Sequence, residues 1–335
     1  MKILLIGGTG IISSSVASLA LAEGHDVVLF NRRGGGPPGA ESLTGDFRSV
    51  EDARALLKDR RFDAVVDFIA YTPEQVQADI DIFRDRTGHY VFISSASAYQ
   101  KPARHYVITE STPLCNPYWQ YSRDKIACEE LLMAEYRSSG LPMTIVRPSH
   151  TYAKDKIPWP FGSNGNTLLD RLKKGRPIIV PGDGTSLWTV THADDLAVAL
   201  LGLLGLRAAM GQAFHITADE ALTWNNITRT VAEAIGVEPD LVHIPSDMLI
   251  MFNPELAGPL LGDKAESAVF DNSKIKRYVP WYQARIPFHR GVRMALEYIE
   301  RHPECQRYDE AYHREQDEWV SRWGDMQRRA GRKWC

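Results

Sequence analysis

The sequence predicts an α/β chain, with a doubly wound parallel sheet followed by a smaller C-terminal α/β lobe. Three observations carry this expectation. Short apolar runs alternate with helix-length segments through the first 150 residues, a glycine-rich turn follows the first run directly, and later segments repeat the alternation on a smaller scale. Strands separated by helices join through right-handed βαβ units into a parallel sheet covered on both faces.

In order, Lys2–Ile6 reads as a strand, Ile11–Ala22 as a helix, and His25–Phe30 as a second strand entered through Glu23-Gly24. RGGGPP (33–38) is a loop by composition, and a short third strand ends near Gly45-Asp46. Ala64–Ala70 (AVVDFIA) and Tyr90–Ser94 (YVFIS) are the fourth and fifth strands. A helix over about Tyr121–Ser138 leads into a sixth, Thr144–Arg147. Residues 1–150 are assigned to dinucleotide binding, with sheet-completing segments from later in the chain. Residues 151–335 are assigned mainly to a substrate lobe and a helical tail. That lobe holds helices at Thr167–Lys174, Ala193–Leu204 and Trp224–Ile235, and a strand at Ile178–Val180. It also holds a strand at Leu241–His243, paired with Phe214–Thr217. The charge-rich tail Tyr312–Arg332 reads as a solvated surface helix or a partner contact.

Composition narrows the partners. The 335 residues carry a formal net charge of −3, with 24% charged and 44% hydrophobic residues, ordinary for a globular protein. No basic excess points to nucleic acid or to an anionic membrane. No apolar run approaches the ~18 residues of a membrane-spanning helix. Leu4–Ile6 is too short a run before glycine for a secretory signal, so the chain is expected to be cytoplasmic. Four scattered cysteines, Cys335 among them, give neither a disulfide framework nor a metal site, and no metal is expected.

The glycines after the first strand need their own explanation. Gly7, Gly10 and Ser13 have the G-x-x-G-x-x-G spacing at a strand-to-helix turn. Such glycines let the backbone turn tightly and approach a pyrophosphate, whose charge sits on the helix N-terminus. Thr9 and Ser13–Ser15 add hydroxyls, and Ile11 and Ile12 open the helix beside the site. Serine in place of a third glycine is expected to loosen helix–strand packing slightly. The second strand ends in Asn31, where a carboxylate would favour NAD by binding its ribose. Asn31 does not repel a 2′-phosphate, and Arg32 and Arg33 can pair with one. The plainer reading leaves both arginines in solvent. NADP is preferred, with NAD the alternative.

Tyr121-Ser122-Arg123-Asp124-Lys125 spells Y-x-x-x-K, which puts phenol and ammonium on one helix face. The ammonium is expected to lower the tyrosine pKa and make it a proton-transfer group. The motif is common by chance, but here it follows Ser95, in FISSASAYQ, by 26 residues.

Together these segments resemble a short-chain dehydrogenase/reductase of the extended or atypical type, the NAD-dependent epimerase/dehydratase family, over nearly the whole chain. Gly45-Asp46-Phe47-Arg48 resembles G-D-[IVL]-R, whose aspartate holds the adenine amino group, and Phe68-Ile69-Ala70 resembles the segment lining the cofactor. Arg147-Pro148-Ser149 is similar to the R-P segment beside the nicotinamide. GDG at 182–184, HADDLA at 192–197 and DNSK at 271–274 complete the pattern. Segments such as NRR and FDNSKIKRYVP also resemble, more loosely, the branch that contains chloroplast stem-loop RNA-binding proteins.

The resemblance implies roles. Tyr121 takes the proton of a substrate hydroxyl as hydride passes to the nicotinamide, Lys125 binds the nicotinamide ribose, and Ser95 hydrogen-bonds the substrate oxygen. Ser94 and Ser97 are neighbours of that set. A homodimer built on the helix carrying Tyr121 is also implied. Ala96-Ser97 stands where the family's 4,6-dehydratases carry Asp-Glu, which disfavours 4,6-dehydration. Trp188 and Leu260 occupy positions where nucleotide-diphosphosugar enzymes place arginines. Losing two such contacts removes about 1.5–3 kcal/mol each. Either other cations serve (Lys154, Lys156, Arg171 or Lys264), or the substrate is a sugar, glycoside, nucleoside or cyclitol without the diphosphate. Trp188 then stacks on a ring or fills the core. Trp119 and Tyr118 wall the pocket or pack the loop, and KDKIPW (154–159) caps it with Trp159. His150 is placed beside the nicotinamide, against the commoner use of a lone histidine as a structural residue.

The expected function is an NAD(P)-dependent epimerase or oxidoreductase acting on a secondary alcohol of a small sugar-like substrate. The alternative is a catalytically idle, RNA-binding relative on the same fold, against which the Ser95/Tyr121/Lys125 set and the acidic balance both argue.

Overall fold

Alternation along the first strand fixes the layering. Successive side chains of a strand point to opposite faces. Ile3 and Leu5 therefore join one apolar cluster with Val27, Leu29 and Val16, while Leu4 and Ile6 join another with Val28, Phe30 and Ile80. All four aliphatics are fully buried, each contributing about 1.5–3 kcal/mol. The computed structural model describes residues 1–161 and 165–331.

Seven strands form one parallel sheet: β1 Lys2–Ile6, β2 Asp26–Asn31, β3 Glu41–Thr44, β4 Ala64–Asp67, β5 Tyr90–Ile93, β6 Met143–Pro148 and β7 Gln212–Ile216. Their order is β7-β6-β5-β4-β1-β2-β3, so the winding reverses between β1 and β4. Ligand crevices in such sheets open at the carboxyl ends of the strands at that reversal. Helices α1 (Ile11–Ala22), α2 (Val50–Leu56), α3 (Pro73–Phe83), α4 (Gln120–Ser139), α5 (Gly165–Lys173), α6 (Ala193–Leu203) and α7 (Trp224–Ala234) follow. Helices α1 and α6 cover one face of the sheet, and α3 and α4 pack together on the other. α4 stops at Gly140, whose φ of +74° and N–H bond to the Tyr136 carbonyl close the helix.

Two expectations about the later chain are corrected. Phe214–Thr217 does not pair with Leu241–His243. Gln212–Ile216 is the edge strand β7, parallel to β6, and Leu241–Ile244 pairs instead with Ile178–Pro181. The edge carries its own protection. Lys274 Nζ donates to the Ala213 carbonyl at 2.9 Å, and Glu110 accepts the His215 N–H at 3.3 Å. The tail helix, Glu310–Arg329, is not a solvated rod, because His313, Gln316 and Trp319 are buried along one face and Asp317 pairs with the buried Arg171 at 2.8 Å. The expected end of that helix at Arg332, and Cys335, lie outside the described residues.

The fourth strand also ends sooner than expected, at Asp67. Its Oδ1 accepts the N–H groups of Ile69 (2.5 Å) and Ala70 (3.0 Å), which turns the chain across the crevice. Among the described residues, no helix is long and apolar enough to cross a membrane.

Candidate active site

The glycine turn is built for close approach. Gly7 has φ +79°, and a Cβ there would stand 2.4 Å from Ile69 Cγ2. Gly10 caps α1, whose first turn carries no acidic residue to oppose an anion. Ser13 corrects the expectation of looser packing. It is buried, its hydroxyl donating to the Gly7 carbonyl (2.7 Å) and accepting the Gly10 N–H (2.8 Å), so the side chain ties the loop shut.

A cavity of about 320 Å³ begins at this turn and runs to α4, lined by Gly10, Ile11, Ile12, Phe68, Tyr71, Ser94, Ser95, Tyr121, Lys125 and Pro148. The sheet brings Ser95 from the end of β5 to the first turn of α4, where Tyr121 and Lys125 share a face. Ser95 Oγ lies 2.9 Å from Ser97 Oγ, and Ser122 donates to Ser97 at 2.8 Å. Lys125 Nζ donates to the carbonyls of Ala70 (2.7 Å) and Ile93 (2.8 Å) and sits 4.8 Å from the centre of the Tyr71 ring.

The expected lowering of the tyrosine pKa is not what this geometry produces. Burial pushes the Tyr121 phenol up to about 12, against a smaller downward pull from the Ser95 hydroxyl. Burial also lowers Lys125 to about 8, with Asp67 drawing it back up. The ammonium faces backbone carbonyls, so its charge does little for the phenol.

Behind this wall lies a polar network. Glu129 stands one turn after Lys125 on α4 and is buried. Ser94 Oγ donates to it at 2.5 Å, and Arg147 Nε and Nη2 donate to it at 3.0 and 2.5 Å. Arg147 therefore points away from the crevice, and Pro148 and Ser149 of the R-P segment line it. The i+4 spacing of Lys125 and Glu129 was the available signal for this residue, since it puts both on one face.

A second cavity, of about 290 Å³, shares Ser95, Tyr121, Pro148 and Ser149 with the first. Its other walls are Ser97, Lys101, Trp119, His150, Trp188, Asp263 and Lys264, with Ile108 and Phe270. The Trp119 ring packs 4.8 Å from that of Tyr121. Trp188 and Trp224 both donate their indole N–H to the Lys264 carbonyl, at 3.2 and 3.1 Å. Asn116 donates to the Gly262 carbonyl at 2.7 Å, so the π-helical turn Leu260–Lys264 is held from two sides.

Several expected contacts lie elsewhere. His150 lines the second cavity rather than the first, and burial, then the Lys264 ammonium, drive it down to about 3. Trp159 is a core residue, packed against Phe161 and Tyr312 and lining neither cavity. Phe47 is likewise buried between Phe30 and Phe83, and Ala70 presents only its carbonyl, to Lys125. Arg171 lies under the tail helix. Thr9, Arg32 and Asp46 are exposed beyond the carboxyl ends of β1, β2 and β3, and Asn31 Oδ1 is buried with no hydrogen-bond partner among the described residues. Lys101, Tyr71 and Asn116 belong to the cavities or their supports and had no motif to mark them.

A parallel sheet with a glycine turn at its winding reversal, opening on a Ser–Tyr–Lys set, defines a Rossmann-type protein. The model of the NAD dependent epimerase/dehydratase family matches residues 3–216, and the chain belongs to that family. A UDP-glucose 4-epimerase of Lactobacillus helveticus is 31% identical over 84% of this chain and 92% of its own length. The 2'-dehydrokanamycin reductase of Streptomyces kanamyceticus is 25% identical over 88% of this chain and 84% of its own. The chloroplast stem-loop binding protein of 41 kDa b of Arabidopsis thaliana is 29% identical over 72% of this chain, a match spanning 65% of that protein. Among solved structures, a dTDP-glucose 4,6-dehydratase of Bacillus anthracis in complex with NAD superposes with a TM-score of 0.74 at 19% identity. That superposition covers 91% of this chain and 98% of that one.

Proposed function

We propose that the protein is an NAD(P)-dependent epimerase or oxidoreductase acting on a secondary alcohol of a sugar-like substrate, without the usual nucleotide diphosphate. The observation that carries this reading is the meeting of Ser95 and Tyr121 on the wall shared by two cavities, with Lys125 on the glycine-turn side. The names of the Lactobacillus and Streptomyces relatives support a carbohydrate substrate.

The residues present fit a nicotinamide dinucleotide. Gly7, Thr9, Gly10, Ile11 and Ile12 would hold the pyrophosphate, and Phe68, Ser94 and Pro148 the nicotinamide end. Asn31, Arg32 and Asp46 would hold the adenosine. Arg32 and Arg33 are exposed and β2 ends without a carboxylate, which supports NADP over NAD. When bound, the nicotinamide supplies the hydride acceptor or donor. The chain's own groups do the rest. Ser122 donates to Ser97, whose hydroxyl lies 2.9 Å from Ser95 Oγ; with Ser97 as the donor of that pair, the Ser95 proton is left for the substrate oxygen. Tyr121 Oη exchanges the proton of that same oxygen. Lys125, two of whose protons the Ala70 and Ile93 carbonyls hold, keeps a third for a ribose hydroxyl. Pairing of two copies through α4 follows from the same reading, and sedimentation equilibrium checks it.

The test is to purify the protein without added cofactor, release any bound dinucleotide and identify it by mass. Retained NADP or NAD supports an epimerase cycle, in which the hydride returns to the substrate. A site that fills only on addition supports a one-way oxidoreductase, and failure to bind either dinucleotide overturns the reading.

A further inference from the structure

Building on that reading of the second cavity, we propose that it selects substrates bearing an oxyanion, a carboxylate or a monophosphate, and that Lys101 recognises it. The Lys101 side chain is only 3% exposed, yet it lines the cavity that Tyr121 also lines. An ammonium donates three hydrogen bonds. Among the described residues Lys101 makes one, to the Asp263 carbonyl, at a long 3.4 Å. Lys101 Nζ forms an ion pair with Glu266 Oε2 at 3.7 Å, longer than a hydrogen bond, and that oxygen already accepts the Ala103 N–H at 2.7 Å.

The other cation of the cavity also makes one hydrogen bond among the described residues, but a short one to a carboxylate. Lys264 Nζ is closed by Asp263 at 2.5 Å. The lining thus holds two ammoniums and one carboxylate, and that carboxylate is engaged by Lys264. His150 adds no charge of its own, being neutral in this setting. Trp119, Trp188 and Phe270 keep the surroundings apolar, where an under-partnered ammonium is a strong attractor for an oxyanion. The cavity, at about 290 Å³, is at the small end of ligand sites and suits one acidic ring.

The experiment titrates the dinucleotide-saturated protein calorimetrically with glucuronate, glucose 6-phosphate and glucose. At least one acid is expected to bind tenfold or more tightly than glucose. Preference for glucuronate alone assigns a carboxylate, and preference for glucose 6-phosphate alone a phosphate. Lys101→Met is expected to bring the preferred acid to within about threefold of glucose, while Lys101→Arg keeps the preference. Three results overturn the proposal: no acid preference or no binding, a preference that survives Lys101→Met, or equal weakening of acid and glucose in that variant, which marks a structural lysine. Tyr121→Phe removes a contact common to acid and glucose, so the ratio of their affinities, not either affinity alone, is the readout in that variant. A failure of the hydride-transfer reading would show as unchanged turnover in that variant with the acid preference still present.

Discussion

The two cavities that meet at Tyr121 are assembled in different ways. The first draws most of its walls from segments that follow a parallel strand: Gly10–Ser13 after β1, Phe68 and Tyr71 after β4, Ser94 and Ser95 after β5. The second gathers Lys101, Trp188 and Lys264, single residues spread over about half the chain, and holds them through hydrogen bonds to backbone carbonyls. One cavity is a consequence of sheet topology. The other is a set of tertiary contacts placed on top of it.

The largest effect expected is at the shared wall. Tyr121→Phe removes the proton-transfer group while keeping the ring that packs against Trp119, so turnover should fall about 10³-fold. Dinucleotide affinity, measured by fluorescence titration, should change less than threefold. Retained turnover would mean that the two cavities meet without sharing chemistry.

Next comes the support of the first cavity. Glu129 and Arg147 are both buried, and truncating one partner leaves the other charged without compensation, at a cost of about 3–5 kcal/mol. Arg147→Met should lower the denaturation midpoint accordingly and leave Glu129 with Ser94 as its one remaining hydrogen-bond donor among the described residues. A loss below 1 kcal/mol would show that the network behind Ser94 is not what fixes that wall.

Acid should also strain the sheet side. His89 is fully buried, accepting the Gly205 N–H at Nδ1 (3.0 Å), with Nε2 2.8 Å from Thr144 Oγ1, and burial lowers it to about 4. The unfolded chain takes up that proton near 6.5 and the folded one only near 4. Stability is therefore complete above about 6.5 and declines as the pH falls towards 4. The decline attributable to His89 is about 3 kcal/mol. Urea denaturation across this range should show it, with the slope flattened in His89→Asn.

These contrasts explain what was legible in the sequence. The run KILLI, the helix at Ile11–Ala22 and the Y-x-x-x-K face follow from local periodicity, and they stand where periodicity puts them. The partner of Leu241–Ile244 and the burial of the tail helix do not, because which strand or lobe an amphipathic segment meets is decided by distant contacts. Position along a motif likewise says nothing of direction. Arg147 sits in the R-P segment yet turns to Glu129, and Phe47 follows Asp46 yet packs into the core. Lys101 had no pattern around it at all. Its place in the cavity exists only once the 260–266 segment folds across it.

The smallest effect tests the second cavity's own construction. The Lys264 carbonyl accepts from two indoles, so removing one leaves it satisfied by the other. Trp188→Phe keeps most of the apolar volume beside His150 and removes one hydrogen bond, a loss of about 1 kcal/mol. The exchange should shift the midpoint only slightly. It also takes away part of the face that lies 5.2 Å from Lys264 Nζ, and a phenyl ring holds a cation less strongly than an indole. The ammonium and its Asp263 partner should then sit less firmly at the cavity wall, raising KM several-fold with kcat unchanged. Were kcat to fall instead, Trp188 would be acting through Tyr121, and the second cavity would be no more separable from the shared wall than the first is.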